Sequence, residues 1–253
     1  MEIKTVLITQ ARTGSTRLPG KVLMEVNQTP LLKIHLDRLK KSKRVNKIIV
    51  ATTNNVEDDI IEKLSMKWGY EVFRGSENDV LDRFYQSVKN KNADWIVRVT
   101  SDCPLLDPDL VDEVVSFVQE KNMDYGSNAM IAQFPDGQDV EVFKFSSLEI
   151  AWKNAELLSE REHVTPYIIS NSNGKGNDFF SAINYPCISD YSKIRMTVDE
   201  VEDFNLIEIL IKKLGIRKSW IDYTNYVIDN DLGKINNNII RNEGLLKSLK
   251  NDI

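Results

Sequence analysis

An α/β fold, with a mainly parallel sheet flanked by helices, is the architecture this sequence predicts, on three observations. Short apolar runs alternate with amphipathic stretches through the N-terminal half, the rhythm of strand–helix repetition. The runs are apolar throughout, as strands covered on both faces are. At 253 residues and 29.0 kDa the chain can bury the core of one large domain.

Val6, Leu7 and Ile8 read as the first strand, followed by a polar, glycine-containing loop over residues 10–20. A helix is expected to begin at Thr29 and Pro30, a capping residue followed by proline at the first helical position, with Leu32, His35, Leu36 and Leu39 as its buried stripe. Residues 47–51, 70–73 and 94–100 read as strands, and 56–68 (ended by Gly69), 79–88 and 108–119 as helices. The rhythm then changes. Residues 137–145 alternate polar and apolar, as a strand exposed on one face does, so a small antiparallel excursion is expected there. Helices follow over 146–157 and 159–170, with Pro166 near a start or a kink, then a mobile turn over 171–177. Residues 179–185 and 194–198 read as strands, and 201–214 and 219–228 as helices. The polar segment from Asp231 is expected as a loosely docked helix or a frayed tail, giving one domain over 1–230 and a C-terminal piece over 231–253.

A net charge of −5 argues against non-specific nucleic-acid binding, which needs a basic face to displace counterions. The two cysteines, Cys103 and Cys187, are far apart in sequence and read as packed thiols rather than a bridge or a ligand pair. Nothing after Met1 resembles an export segment, and no apolar run reaches the roughly 18 residues of a membrane span. A cytoplasmic protein without a membrane partner is expected.

In an open parallel sheet, ligands bind beyond the carboxyl ends of the strands, so the segment after the first strand is the place to look. That segment, Gln10-Ala11-Arg12-Thr13-Gly14-Ser15-Thr16-Arg17-Leu18-Pro19-Gly20-Lys21, gathers three cations around two glycines and two hydroxyls. Glycine turns offer backbone amides to phosphate oxygens, guanidinium forks bind them in pairs and lysine adds a compact charge. The loop reads as a triphosphate cradle, with a basic surface loop as the plainer alternative. It matches neither the Walker A nor the dinucleotide pattern.

Displacement at an α-phosphate needs the charge on the leaving pyrophosphate offset, and Mg²⁺ held by carboxylates is the usual means. Asp102 and Asp199 stand just past two expected strands, at the rim that carries the loop. Asp102 could instead be a turn residue, and Asp199 could cap the helix from Val201. Asp107, Asp109 and Asp203 compete, although Asp109 suits the first turn of the next helix.

The chain resembles the cytidylyltransferases that activate acidic sugars such as sialic acid and KDO, and within them the spore-coat polysaccharide branch. Their loop, Arg-x-Gly-Ser-x-Arg-x-x-x-Lys, is matched by Arg12, Gly14, Ser15, Arg17 and Lys21. The resemblance extends through Asp79-Val80-Leu81-Asp82-Arg83-Phe84, the stretch from Arg98 to Asp107, Pro135-Asp136-Gly137-Gln138-Asp139-Val140-Glu141 and Glu160-Arg161-Glu162-His163-Val164-Thr165-Pro166. It implies a Rossmann-like nucleotide-diphospho-sugar transferase fold, CTP as donor, a sugar or sugar-acid acceptor, and Asp102 and Asp199 sharing the metal. It also implies a homodimer, with the excursion after Pro135 as interface. Arg12, Lys21 and Asp102 are then the catalytic candidates, and Gln10, Ala11, Gly14, Ser15 and Arg17 join Arg12 and Lys21 around the nucleotide.

Thr53, Arg74, Asp79, Asp82 and Arg83 follow the second and third strands at the same end and are candidates for the nucleobase side. For the acceptor, Asp136, Gln138, Asp139 and Glu141 form a polar cluster in which alternation places Asp139 and Glu141 on one face; a solvated strand edge would look the same. His163 is either a base or acceptor contact or a packed histidine, whereas His35 on its apolar stripe reads as structural. Arg195 either binds an anionic acceptor group or pairs with a nearby carboxylate. The rival readings are a glycosyltransferase of similar fold, which would carry Asp-x-Asp where Ser101-Asp102-Cys103 has one Asp, and a non-catalytic nucleotide-binding protein.

Overall fold

The computed structural model describes residues 4–173 and 178–252, so residues 174–177 of the expected turn lie outside the described residues. β1 (Thr5–Gln10) lies inside the sheet, with Val6 and Ile8 on one face and Leu7 on the other, all fully buried. After a 3-10 turn at Lys21–Leu23, β2 (Glu25–Val26) and β3 (Thr29–Pro30) pair as a two-residue hairpin. Its tip residues Asn27 and Gln28 both adopt positive φ, 51° and 61°, the turn that matches strand twist. The hairpin takes Thr29 and Pro30, so the helix expected from Thr29 starts later, as α1 (Leu31–Leu39), with extended Pro30 as its cap.

The alternation continues with β4 (Lys47–Thr53), α2 (Asp59–Lys67) after a 3-10 turn, β5 (Glu71–Gly75), α3 (Val80–Val88), β6 (Trp95–Thr100) and α4 (Pro108–Glu120). Asp79 caps α3 and Asp107 caps α4, each side chain accepting from a first-turn amide. Then come β7 (Tyr125–Ser127), β8 (Glu141–Lys144), α5 (Phe145–Asn154), α6 (Leu158–His163), α7 (Pro166–Ser170) with Pro166 at its first turn, and β9 (Ala182–Asn184). The chain continues through α8 (Val201–Leu214), α9 (Trp220–Asp229), a 3-10 turn at Leu232–Ile235 and α10 (Glu243–Lys250).

The seven-stranded sheet has the order β5-β4-β1-β6-β8-β7-β9. β5, β4, β1 and β6 are parallel, β8 runs antiparallel to β6 and β7, and β9 is parallel to β7. The chain winds from β1 outward through β4 to β5 and returns on the other side of β1 at β6. The crevice between the carboxyl ends of β1 and β6 is therefore the topological switch point.

Two expectations change. The strand expected over 137–145 shortens to β8 and is not exposed on one face: Val142 packs in the cluster with α4, Phe143 in the cluster with α5, and both are fully buried. Residues 136–140 are also mostly buried, with Asp139 half-buried. The strand expected over 194–198 is an extended segment with one isolated bridge, Asp136 to Arg195. Gly137, at φ 102°, turns the chain so tightly against it that a Cβ would sit 2.6 Å from the Met196 carbonyl carbon.

Candidate active site

A cavity of about 700 Å³ opens at the switch point. Its walls are the loop after β1, the end of β6 and the turn that follows it (residues 100–102), the turn into α3, α6 and the C-terminal α10. The loop is held in shape by its own hydrogen bonds. Thr13 donates through its amide and hydroxyl to one Asp58 oxygen, at 2.7 and 2.8 Å, and accepts from the Gly20 amide at 2.9 Å. Gly20 takes the left-handed conformation, φ 69°, which swings the chain into the turn that carries Lys21.

Lys21 lies between two carboxylates, with Nζ 2.9 Å from Asp102 Oδ2 and 2.8 Å from Asp199 Oδ1. Burial opposes its charge, but Asp102 and Asp199 outweigh burial and raise its pKa. Burial likewise works against the Asp102 carboxylate, yet Lys21 and the Thr100 hydroxyl hold its pKa well below the usual range. The two aspartates meet because the segment before Asp199 is tied to the turn after β6: the Val198 amide donates to the Asp102 carbonyl at 2.8 Å. Beneath that turn sits His35, fully buried, bonded to the Cys103 carbonyl and the Thr9 hydroxyl at 2.9 Å each. Burial drops its pKa to about 4, so the ring is neutral, donating from Nδ1 and accepting at Nε2.

Arg17 reaches Asp199 at 3.0 Å, Glu200 at 3.6 Å and Glu243 at 3.2 Å. Arg12 pairs with Glu77 at 3.0 Å. Each loop cation thus rests on carboxylates of the chain, partners that an anionic ligand can replace.

The other sequence candidates divide. Gln10, Ala11, Ser15, Arg83 and His163 line the cavity with the loop cations, Asp102 and Asp199, while Gly14 is exposed on the loop and does not line it. Arg83 is nearly sealed, and burial together with Arg12 brings its pKa down to about 10. Thr53 donates to Asp58, and Arg74 serves the Thr53 and Asn55 carbonyls, Asp59 and Glu62. Asp79 accepts from Arg161 besides capping α3, and Asp82 accepts from Trp152 and Gln86. These four lie off the cavity wall.

On the expected acceptor side only His163 reaches the cavity, with Nε2 3.1 Å from Ser248 Oγ. Asp136 pairs with Arg195, Asp139 with Arg241 at 2.6 Å, and Glu141 with Arg98, Tyr125 and Thr165. Gln138 is buried between the Asp107 amide and the Leu105 carbonyl, at 3.0 and 3.1 Å. Arg195 is enclosed by carboxylates, with Nε 2.9 Å from Asp203 and Nη2 2.7 Å from Asp199, the local pairing that its sequence left open. Among the competing aspartates, Asp107 caps α4 and holds the Trp220 amide, and Asp203 caps α8.

Among the described residues no three His, Cys, Asp or Glu side chains converge as a metal cage. The pair Asp102 and Asp199 suits a hard cation of the Mg²⁺ kind, which takes one or two carboxylates and fills its shell with phosphate oxygens and water. Sequence reading missed Glu77 and the residues of α10 on the wall, Glu243, Gly244, Lys247 and Ser248. The one available signal was the spacing of Glu243, Lys247 and Asn251, which repeats every fourth residue along one helical face.

Residues 6–216 match the sequence profile of the cytidylyltransferase family. Spore coat polysaccharide biosynthesis protein SpsF of Bacillus subtilis is 35% identical over 218 residues, 84% of this chain and 88% of that protein. An uncharacterized protein of Methanocaldococcus jannaschii is 46% identical over 207 residues, 81% of this chain and 82% of that one. The solved structure of a cytidylyltransferase from Leptospira borgpetersenii superposes with a TM-score of 0.86 at 35% identity, over 94% of this chain and 99% of that one.

Proposed function

The chain belongs to the cytidylyltransferase family of nucleotidyltransferases, and from that premise we propose that it transfers CMP from CTP to an acidic sugar, in the making of a surface polysaccharide. The observation that carries the reading is Lys21 bridging Asp102 and Asp199 in the switch-point cavity, with Arg12 and Arg17 on the same loop. The polysaccharide follows from similarity to SpsF, and the acidic acceptor from similarity to a 3-deoxy-manno-octulosonate cytidylyltransferase.

Arg12 and Arg17 exchange Glu77 and Glu243 for phosphate oxygens, since a guanidinium fork fits either anion. Lys21, kept protonated by its two carboxylates, offsets charge on the triphosphate. Asp102 and Asp199 would hold Mg²⁺, which would offset the charge on the triphosphate and the leaving pyrophosphate. The acceptor oxygen forms its bond to the α-phosphorus as the α–β anhydride bond breaks and pyrophosphate departs. Positioning and charge do most of the work.

The test is pyrophosphate release with Mg²⁺, each of CTP, UTP, GTP and ATP, and a panel of sugar acids and sugar phosphates. Release with CTP and a sugar acid is expected. A glycosyl transfer would release none, and CTP binding without turnover would leave a binding protein. No helix among the described residues is long and apolar enough to cross a membrane. The proposal places the enzyme in the cytoplasm as a homodimer, which sedimentation tests: a 29.0 kDa species alone would remove the dimer.

A further inference from the structure

α10 begins well beyond residue 216, where the family match ends. It is nonetheless fastened to the cavity along its length. Before it, Arg241 donates to the Phe134 carbonyl at 3.1 Å and to Asp139 at 2.6 Å. Within it, Glu243 reaches Arg17 at 3.2 Å, and Ser248 donates to Glu162 at 2.6 Å beside His163. After it, Asp252 accepts from the Ser159 amide at 2.9 Å.

The helix is also oriented against the ordinary rule. A docked helix turns its apolar stripe to the core. This one turns Glu243, Gly244, Lys247 and Ser248 to the cavity and leaves Leu246 and Leu249 half-exposed, at 49% and 47%. Leu245 is half-buried, and the inward polar face is held by Arg17 and Glu162, side chains on the wall of a cavity open to a polar ligand.

On the cavity wall, α10 links His163 on α6, through Ser248, to Arg17 of the phosphate loop, through Glu243. A second substrate that attacks beside Lys21, Asp102 and Asp199 has this wall as its neighbour. The charge inventory narrows the contact further. Arg12, Arg17 and Lys21 serve the triphosphate, Arg83 sits with Glu77 and Asn78 at the start of α3, and Arg195 is enclosed by aspartates. Of the cavity-lining cations among the described residues, Lys247 is the one on the α6–α10 side. Its present partner is instructive: Glu243 spans Lys247 at 2.7 Å and Arg17 at 3.2 Å, a carboxylate standing between the acceptor wall and the phosphate loop.

We propose that α10 is the acceptor-binding wall and that Lys247 takes the carboxylate of the acidic sugar in place of Glu243, making the C-terminal helix a determinant of acceptor choice. This rests on the reading of the chain as a cytidylyltransferase with an acidic acceptor. The test is steady-state pyrophosphate release by the full chain, with CTP, Mg²⁺ and either N-acetylneuraminate or 3-deoxy-manno-octulosonate as the probe acid. Lys247→Ala is expected to raise the KM for the acid about tenfold, the loss of one charge-assisted contact, with the KM for CTP within about twofold. Lys247→Arg is expected to restore most of that loss. Lys247 is exposed, so thermal unfolding should match the parent, and that measurement separates a binding defect from a folding one. An unchanged KM for the acid, or equal rises for acid and CTP, overturns the proposal. A parent enzyme that uses only neutral sugars overturns Lys247 while leaving cytidylyl transfer standing. If no acceptor releases pyrophosphate and CTP does not shift the melting temperature, the functional reading fails and takes this inference with it.

Discussion

Two clusters meet at Asp199, each a cation set among aspartates, and they are put to different uses. In one, Lys21 lies between Asp102 and Asp199, whose side chains keep 25% and 21% of their surface open. In the other, Arg195 is enclosed by Asp136 and Asp203, with 7%, 10% and 0% open. Taking charges out of water is costly, so a sealed cluster holds only while every partner is present. A cluster open on one side can trade a partner for a ligand. The sealed group fastens the segment before Asp199, and the open one is where chemistry can occur.

Breaking the sealed cluster should have the largest effect on the fold. Arg195→Ala leaves Asp203 buried without a cation and Asp136 with only Arg241 at 4.0 Å, and the expected loss is about 3–5 kcal/mol of stability by urea unfolding. A variant as stable as the parent would erase the distinction between the clusters. Lys21→Ala acts on the open one. Turnover with CTP should fall about 10²–10³-fold, the scale of losing one preorganised charge contact, with a smaller stability loss than Arg195→Ala. If stability falls more than activity, Lys21 belongs with the sealed set.

Next in size is the support under Asp102. His35 has its pKa lowered from 6.5 to about 4 by burial, with Asp102 and Arg38 as its nearest charged influences. A lowered folded-state pKa means that its contribution is fully present above pH 6.5 and is lost as pH falls from there through about 4. The loss amounts to about 3 kcal/mol. His35→Gln should flatten that part of the stability–pH curve while keeping a donor for the Cys103 carbonyl. A parent and variant with the same acid slope would show that the ring is not held neutral.

Much of this molecule was legible because its information is local. Short apolar runs such as Val6-Leu7-Ile8, alternating with amphipathic stretches, read as interior strands, and the loop from Arg12 to Lys21 carries its cations and glycines close together in the chain. What resisted reading depends on distant partners. Glu141 looks like a solvated strand residue until Arg98, Tyr125 and Thr165 surround it, and Asp139 finds its cation in Arg241 on the C-terminal segment. Sequence supplies the residue type but not the partner, so a polar cluster waiting for ligand and one already satisfied read alike. A loosely docked helix was one of the two readings of the segment that holds α10, but its place on the cavity wall was hidden because Glu243, Lys247 and Ser248 face inward, where a docked helix ordinarily turns its apolar stripe.

The smallest expected effect tests the open end of the comparison. Arg12 is 47% exposed and rests on Glu77, the opposite extreme from Arg195. An exposed pair contributes at most about 1 kcal/mol, so Arg12→Ala should leave thermal unfolding nearly unchanged. If the guanidinium exchanges Glu77 for phosphate, the same variant should raise the KM for CTP about tenfold. Glu77→Gln removes the competitor while keeping the size, and it should lower that KM because the triphosphate no longer has to displace a carboxylate. Opposite movements in the two variants would identify Arg12 as an exchangeable contact. An Arg12→Ala enzyme with parental kinetics would mean that openness to the cavity does not by itself distinguish a binding charge from a surface one, and that the exchangeable set begins at Arg17.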